Sequence, residues 1–302
     1  MFEQFFGNYL IQKKLITSDQ FADVLETQKS SRVKLGLIAV AEKMLTPRQT
    51  YEINMLQVTL DKRFGDIAVD KGYLTPDQVS HLLSLQGNPY LLFAQTLAEK
   101  NIMTLAEVED AVLRYKEENS FTDDDIEAIK SGDIDRITNV FIKINAPLYN
   151  DMIALAIRNI IRFIDTSVSF SAPIACKTYR FENLASQCLK GDHDILLGFA
   201  GKGNSLLTIA TPYANIANPY EKEEFTEVDE DSLDAVCEFT NVINGLFASK
   251  LSYEDINIDM LPPITYNDNE LVSEGEFYVV PLKINSSDID LIISVDAKVV
   301  VK

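Results

Sequence analysis

Apolar and small residues recur every 29 positions through the first 118 residues of the chain. When the four 29-residue segments are aligned, one column is apolar, with Phe6, Leu35, Phe64 and Phe93. The next column contains the small residues Gly7, Gly36, Gly65 and Ala94, and a third contains Thr17, Thr46, Thr75 and Thr104. A period of this kind is typical of a supersecondary unit that buries its apolar face against its neighbours. The pattern therefore predicts four helical-hairpin repeats over residues 1–118.

Each of the four threonines precedes a residue that can complete a capping box. Gln20, Gln49, Gln78 and Glu107 stand three residues after them. In this motif the threonine side chain accepts a hydrogen bond from the backbone of the third helical residue, whose own side chain accepts one in return. Each repeat is thus predicted to contain a helix, a tight turn and a second helix that begins after the threonine. The column glycines would allow close approach, either between helices or by a ligand.

A segment over residues 119–146 is predicted to connect the repeats to the rest of the chain through two short helices. Thr122 and the aspartates after it suit a helix N-terminus, and Ser131 with Gly132 suits its end. Isoleucines at near-helical spacing indicate that this linker is structured.

Residues 147–302 alternate between helical and β patterns. An apolar helix is predicted over 148–166 and a second helix from about Ser232 to Leu251. The stretches with β character are CKTYRFE, DILLGFAG, NSLLTIAT, DINIDML, EFYVVPLKI and DIDLIISV, and Gly-Lys-Gly-Asn at 201–204 reads as a hairpin between the second and third of them. The expected fold is therefore α+β, with an antiparallel sheet flanked by two long helices, and its order indicates an internal duplication.

The second long helix has two distinct faces at 100° per residue. Its apolar side carries Leu233, Val236, Thr240, Ile243 and Phe247, and the opposite side carries Asp234, Glu238, Asn241 and Gly245, with Val242 and Ala248 on the flanks. An ordinary solvated face explains this polar stripe. The alternative is a surface whose small residues allow another protein to press against it.

Charge separates the two halves of the 302-residue chain. Lysine and arginine number 27 against 46 aspartates and glutamates, which gives a net charge of −19. Residues 1–118 contribute −3 and residues 119–302 contribute −16. The difference supports a boundary near 118. It also argues against nucleic-acid binding by the second half, because neutralising phosphates requires a basic surface.

Membrane and metal sites are not expected from the sequence. No apolar run reaches the roughly 18 residues of a membrane span, and no secretory signal is evident, so a cytoplasmic protein is predicted. Three cysteines without Cys-x-x-Cys spacing and two histidines far apart argue against a disulfide framework, a metal centre built on these residues or a histidine-based triad, while carboxylate-bound Mg²⁺ stays open.

The repeat resembles the N-terminal domain of type II secretion and type IV pilus assembly ATPases. Its pattern is basic-aliphatic-Gly, two residues, an aliphatic, ten residues, then aliphatic-x-x-x-aliphatic-x-x-Gln. The third repeat fits best, with Arg63, Phe64, Gly65, Ala68, Val79, Leu83 and Gln86. The second repeat keeps Lys34 and Gln57 but has Thr50 and Asn54 at aliphatic positions.

Some members of that ATPase family bind cyclic di-GMP through two tandem motifs of this kind. The resemblance therefore implies Lys34, Gln57, Arg63 and Gln86 as ligand-binding candidates, and a guanidinium such as that of Arg63 suits guanine or phosphate better than an ammonium. The competing interpretation is a helical interaction or oligomerisation scaffold, in which the glutamines only terminate helices.

The string CEFTNVINGLFASKLSYEDINIDMLPPI resembles the CheX/CheC family of chemotaxis phosphatases. It has Glu-x-x-Asn, a glycine four residues on, a strand and then proline. In that family the helix enters the active site of a phosphorylated CheY-like receiver domain, which carries the Mg²⁺. The resemblance implies that Asn241 orients the attacking water and that Glu238 anchors to the receiver's lysine, with Val242, Gly245 and Ala248 in contact with the partner.

An offset of 82 residues aligns Ala156, Asn159 and Phe163 of the first long helix with Glu238, Asn241 and Gly245. That copy lacks the acid and has a bulky residue in place of the glycine, so one active face is expected. Single-site members are often dimers through the sheet, which allows a homodimer here.

Two functions remain open from the sequence. The first is a phosphatase of CheX type that acts on a response regulator and is localised or regulated by the repeats, with no cofactor of its own. The second is a non-catalytic adaptor that binds receivers or secretion and pilus components and responds to cyclic di-GMP.

Overall fold

A computed structural model describes residues 2–60, 62–164, 168–218, 220, 222–285 and 287–302, without the side chains of residues 58 and 59. Within these ranges the chain forms thirteen helices and seven strands. They divide into two compact units, Met1–Asp133 and Ile134–Lys302. The first unit is helical and the second contains an antiparallel sheet, so the protein has the α+β composition that the sequence predicts.

The first unit contains nine helices within the described residues. They are α1 (Phe2–Gln12), α2 (Ser18–Gln28), α3 (Leu35–Ala41), α4 (Pro47–Leu60), α5 (Phe64–Asp70), α6 (Pro76–Ser84), α7 (Pro89–Glu99), α8 (Leu105–Glu118) and α9 (Asp123–Ser131).

The capping boxes of these helices are confirmed. The helices α2, α4, α6 and α8 begin directly after the four threonines. At Thr75, for example, the backbone N–H donates to Gln78 Oε1 at 2.8 Å and Thr75 Oγ1 accepts from the Gln78 N–H at 3.2 Å. Thr122 caps α9 in the same way, and Gly132 ends that helix in the left-handed conformation at φ 70°.

The repeats pack in nested pairs. Helices α1 and α2 of the first repeat contact α7 and α8 of the fourth, and α3 and α4 of the second contact α5 and α6 of the third. The inner pair surrounds a cluster that includes Ile38, Ile53, Ile67 and Leu82, all fully buried. The cluster draws on four helices, so neither predicted repeat of this pair encloses it alone.

The column glycines allow the two helices of each repeat to approach closely. A Cβ atom on Gly36 would lie 2.6 Å from Thr50 Cγ2, and one on Gly65 would lie 2.7 Å from Val79 Cγ1. In both repeats the opposing residue stands 14 positions after the glycine, on the second helix. Of the two reasons that the sequence offers for these glycines, the structure supports the packing of helix on helix.

The second unit begins within the connecting segment 119–146, which contributes α9 to the first unit and α10 to the second. Its elements are α10 (Ile134–Phe141), α11 (Pro147–Phe163), β1 (Val168–Phe170), β2 (Ile174–Gly191), β3 (Ile195–Gly201), α12 (Leu207–Ala217), α13 (Glu230–Tyr253), β4 (Ile258–Met260), β5 (Ile264–Ile284), β6 (Ser287–Val295) and β7 (Val299–Val301). The predicted helix 148–166 corresponds to α11, although positions 165 and 166 lie outside the described residues.

All described strand pairs are antiparallel, in the order β1-β5-β6-β3-β2-β4, with β7 on β5. The long strands β2 and β5 also pair with each other, so that β2, β3, β6 and β5 form a closed circuit. The central strand β3 is buried along its whole length. Its Phe199 stacks on Phe239 of α13 at 5.7 Å, and its Leu196 and Ala200 belong to a second apolar cluster with Phe277.

The predicted strand NSLLTIAT and its hairpin at 201–204 are wrong. These residues lead into α12 (Leu207–Ala217), so the sheet is accompanied by a further helix between α11 and α13. Leu206, Ile209 and Ala210 are buried, and their spacing of three and one is helical rather than alternating. A short apolar run fits either periodicity, and only the packing of α12 against α13 decides between them.

No helix within the described residues is both long enough and apolar enough to cross a membrane.

The glycine contacts predict a stability difference between two substitutions in the first unit. We expect Gly65→Ala to lower the free energy of unfolding by about 1 kcal/mol, because overpacking against Val79 outweighs the gain in helix propensity. Gly87→Ala is the matched control, since a Cβ there would meet no atom within 4 Å. Urea unfolding followed by circular dichroism measures both, and equal stability of Gly65→Ala and wild type would contradict the packing role.

Candidate functional site

Helix α13 presents one face to the sheet and the other to solvent. The apolar side predicted from the sequence is buried at Leu233, Val236, Thr240, Ile243 and Phe247. The helix begins after Asp229, whose side chain accepts from the Ser232 backbone at 2.9 Å while the Ser232 hydroxyl lies 2.8 Å from the Asp229 N–H. Burial on one side and this cap fix the rotation of the helix, and therefore which residues it exposes.

Glu238 lies on the exposed side of α13. The pKa of the Tyr213 phenol in α12 is raised, first by burial and then by the negative charge of Glu238. The Tyr213 ring packs against Phe239 with centroids 5.4 Å apart. Among the described residues no cation is paired with Glu238, so the carboxylate is available to a basic group from outside.

Asn241 follows on the same side of the helix and is half-buried. Its Oδ1 accepts a hydrogen bond from Gln187 Nε2 of β2 at 2.8 Å. A carbonyl oxygen has two lone pairs, and an amide nitrogen has two hydrogens. The bond to Gln187 therefore fixes the Asn241 amide while leaving one lone pair and the Nδ2 hydrogens for another group.

On the core side of Asn241, the side-chain amides of Gln187 and Asn244 form a buried hydrogen-bond network. Gln187 Nε2 also donates to the Leu261 carbonyl at 2.7 Å, and Gln187 Oε1 accepts from Asn244 Nδ2 at 2.9 Å. Sequence reasoning missed both Gln187 and Asn244. The available signal was a glutamine among the inward-facing positions of a strand, since a buried polar side chain needs a partner.

Gly245 lies one turn after Asn241, in the middle of α13. A Cβ atom there would have only Met260 Sδ within 4 Å, at an ordinary 3.9 Å. Glycine inside a helix is less favourable than alanine by about 1 kcal/mol. The packing of the described residues therefore does not require a glycine at this position.

Small and apolar residues surround this glycine on the exposed side of α13. Val242 and Ala248, the predicted flanks, are half-buried, and Leu246 is 46% exposed. The predicted partner-contact residues thus lie together on one surface with Glu238 and Asn241.

The equivalent positions of α11 differ as the sequence suggests. Ala156 is fully buried, and Asn159 is 4% exposed with its Nδ2 donating to the Leu155 carbonyl of its own helix at 2.8 Å. This amide stabilises α11 and is not presented to solvent. The second unit therefore has its exposed Glu-x-x-Asn face on α13.

The four ligand-binding candidates of the repeats do not converge on one place. Lys34 and Gln57 line a largely apolar cavity of about 790 Å³ between the helices of the first unit, whereas Arg63 and Gln86 are not among its lining residues. The Lys34 ammonium forms an ion pair with Glu99 at 2.6 Å. Gln86 Nε2 donates to the Val33 carbonyl at 2.9 Å, and Gln57 Nε2 donates to the Lys62 carbonyl at 3.3 Å.

In the described part of the chain, histidine, cysteine, aspartate and glutamate side chains form no group of three that could hold a metal ion. The three cysteines, Cys176, Cys188 and Cys237, are free. Burial, with the nearby Asp234 and Glu238, raises the pKa of the Cys237 thiol to about 11, so this cysteine stays protonated and is a poor nucleophile.

Several solved structures are similar to this chain. A chemotaxis protein CheX from Desulfovibrio desulfuricans is 11% identical, with a TM-score of 0.41 over 49% of this chain and 99% of that chain. A chemotaxis protein CheX from Vibrio vulnificus is 16% identical, with a TM-score of 0.41 over 50% and 99%. A CheX–CheY–BeF₃–Mg²⁺ complex from Borrelia burgdorferi is 17% identical, with a TM-score of 0.37 over 49% and 97%.

A search among curated proteins finds no match to this chain. A comparison with protein-family models matches residues 184–283 to the family described as chemotaxis phosphatase CheX. The match does not extend to the first unit, where the resemblance to pilus assembly ATPases stays a prediction. The segment that contains Glu238, Asn241 and Gly245 thus matches the CheX family of chemotaxis phosphatases, as its sequence resemblance predicted.

Proposed function

We propose that the second unit is a phosphatase that hydrolyses the phosphoaspartate of a CheY-like receiver domain. The observation that carries the proposal is the Glu238–Asn241 pair on the exposed face of α13, with the Asn241 amide held from behind by Gln187. The match of residues 184–283 to the chemotaxis phosphatase family supports the same reaction class.

The reaction needs little from this chain beyond positioning. An aspartyl phosphate is already activated, and in this scheme its Mg²⁺ belongs to the receiver, so the phosphatase supplies a correctly placed water. The remaining lone pair of Asn241 Oδ1 can accept a hydrogen from that water, which directs the water oxygen toward phosphorus. As the water oxygen bonds to phosphorus, the bond between phosphorus and the receiver's aspartate oxygen breaks, and the aspartate leaves as a carboxylate with the electron pair. The proton that the water loses passes to the released phosphate.

Glu238 has a different part in the proposal. As an exposed carboxylate without an ion pair among the described residues, it can pair with a lysine of the receiver when the two surfaces meet. Burial of that pair at the interface fixes the register of the complex, so that Asn241 lies over the phosphoryl group. The short side chains at Gly245 and Ala248 permit the close contact that this register requires.

Loss of the Asn241 amide is expected to abolish most of the activity. With a ³²P-labelled receiver, wild type should accelerate the loss of label, and Asn241→Ala should slow this catalysed rate by about 10²-fold or more, as for other groups that orient reactants at a transition state. Two control variants, Asp234→Asn on the same exposed face and Asn159→Ala on α11, should retain the wild-type rate.

The adaptor hypothesis predicts a different outcome of this experiment. If wild type and Asn241→Ala bind the receiver equally and both leave its phosphate untouched, the second unit is a non-catalytic binding module. Decay that is fast and equal with both proteins would instead assign catalysis to other residues.

The repeats are proposed to localise or regulate the phosphatase, and a nucleotide is one ligand that could do so. The observation that favours this second function is the 790 Å³ cavity lined by Lys34 and Gln57. Lys34, an exposed cation at the mouth of this cavity, could exchange its ion pair with Glu99 for a phosphate.

Calorimetric titration with cyclic di-GMP tests this role of the repeats. Wild type should release heat on binding, and Lys34→Ala should weaken the affinity by about tenfold or more, because phosphate contacts by charged groups contribute in this range. A loss of affinity in Arg63→Ala as well would extend the site beyond this cavity, whose lining does not include Arg63. Lys62→Ala removes a neighbouring charge that is paired with Asp70 and serves as the control. Absence of heat with wild type, or unchanged affinity in Lys34→Ala, would leave the repeats as a protein-interaction scaffold.

A further inference from the structure

We propose that Gln187 is a positioning residue for the reaction, acting through Asn241. This inference rests on the proposed function of the second unit and adds a residue that lies outside the Glu-x-x-Asn motif. Gln187 is 2% exposed and stands on β2, where it faces α13 from below. It cannot touch a docked receiver, so any effect on the chemistry must pass through Asn241.

The backbone carbonyl of Leu261 determines which end of each side-chain amide in the network is the oxygen and which is the NH₂ group. The Leu261 carbonyl can only accept, so the end of Gln187 that lies 2.7 Å from it must be the NH₂ group. The second hydrogen of that NH₂ group then points to Asn241, which must turn its oxygen toward it at 2.8 Å. Gln187 therefore determines which atoms of Asn241 remain for the water.

The backbone group that sets this order is itself firmly held. The Leu261 N–H donates to the Cys188 carbonyl at 3.0 Å, which ties the residue after β4 to the strand that carries Gln187. Leu261 also precedes Pro262, and the residue before a proline is restricted to extended conformations. The network thus ends on a rigid point of the sheet and not on a mobile side chain.

The free energies involved indicate that the network orients side chains more than it stabilises the fold. Asn244, which donates to Gln187 Oε1, is fully buried, and its own Oδ1 has no hydrogen-bond partner among the described residues. A buried acceptor without a partner is costly, and replacing both members of a buried polar pair by apolar groups is often close to neutral. A core selected for stability alone would place apolar side chains at these two positions.

The consequence for catalysis is a pre-oriented amide. A free asparagine side chain on a helix surface rotates about its terminal torsion, and only some orientations aim the Oδ1 lone pair at the water. Because Gln187 holds the amide before the receiver binds, the amide does not have to rotate into the correct orientation during the reaction. Small errors in the placement of such a group lower the rate by large factors. Binding of the receiver, by contrast, depends on Glu238 and on the small residues of α13, which Gln187 does not contact in any described hydrogen bond.

Gln187→Met tests the proposal, because methionine has a similar length and no hydrogen-bonding amide. We expect kcat to fall by about 10- to 100-fold, the range of a misplaced catalytic group, while KM and the affinity for a beryllofluoride-activated receiver stay within about twofold of wild type. Asn159→Ala, which also removes a buried carboxamide, is the matched control and should keep both constants. A wild-type kcat in Gln187→Met would overturn the proposal.

Two further variants separate positioning from a loss of folding. Gln187→Met combined with Asn244→Leu removes both buried amides, which should restore stability in urea while kcat stays low. Gln187→Met added to Asn241→Ala should cause no further loss of rate, since residues that act as one unit are non-additive. Recovery of kcat together with stability, or a multiplied loss in the Asn241→Ala background, would assign Gln187 a structural role only.

A measurement without the receiver distinguishes failure of this inference from failure of the proposed function. In ¹⁵N relaxation, the Asn241 side-chain amide should be ordered in wild type and more mobile in Gln187→Met. If wild type does not accelerate the loss of label, the proposed function fails whatever this amide does. If the amide is equally mobile in wild type and Gln187→Met, the positioning role fails even where Asn241 is essential.

Discussion

The hydrogen bond from Gln187 Nε2 to Asn241 Oδ1 links the sheet of the second unit to the exposed face of α13. The orientation of the Asn241 amide, and with it the proposed role of this residue, depends on this bond. The bond turns a surface asparagine, which would otherwise move freely, into a group with a defined orientation. It does so at 2.8 Å, from a residue that is itself anchored to the backbone at Leu261.

The fold supplies the conditions under which this bond can form. Helix α13 is rotated into place by the burial of Ile243 and Phe247 on one side, and Phe199 of the wholly buried strand β3 stacks on its Phe239. These contacts set the height and the angle of the helix over β2. A hydrogen bond between side chains forms only within a narrow range of distances, so a small change in that height would break the bond from Gln187 to Asn241. Dense packing of the interior prevents such a change.

Local sequence signals account for much of the architecture. The four capping boxes, the ends of α9 and the two faces of α13 each depend on residues within one or two helical turns, and such short-range chemistry can be read from a single sequence. The Glu238–Asn241 face was predictable for the same reason, since the burial of one side of a helix implies the exposure of the other.

The features that sequence could not supply depend on long-range contacts. Helix α12 reads equally well as a strand until its packing against α13 is known, and the closed circuit of β2, β3, β6 and β5 depends on pairings between residues about a hundred positions apart. Gln187 lies 54 residues from Asn241, and nothing in its neighbourhood indicates a partner on α13. The same limit explains why Lys34 and Arg63, which look equivalent in the repeats, have different surroundings.

In the proposed function, the Asn241 amide meets the phosphoryl site of a receiver. The most direct measurement is a titration of the ¹⁵N-labelled chain with a CheY-like receiver, with and without beryllofluoride, followed by nuclear magnetic resonance. We expect the Asn241 side-chain amide to shift only with the activated receiver, together with backbone signals of Glu238 and Gly245. Shifts confined to other surfaces, with α13 unchanged, would contradict the role of Asn241 at the phosphoryl site.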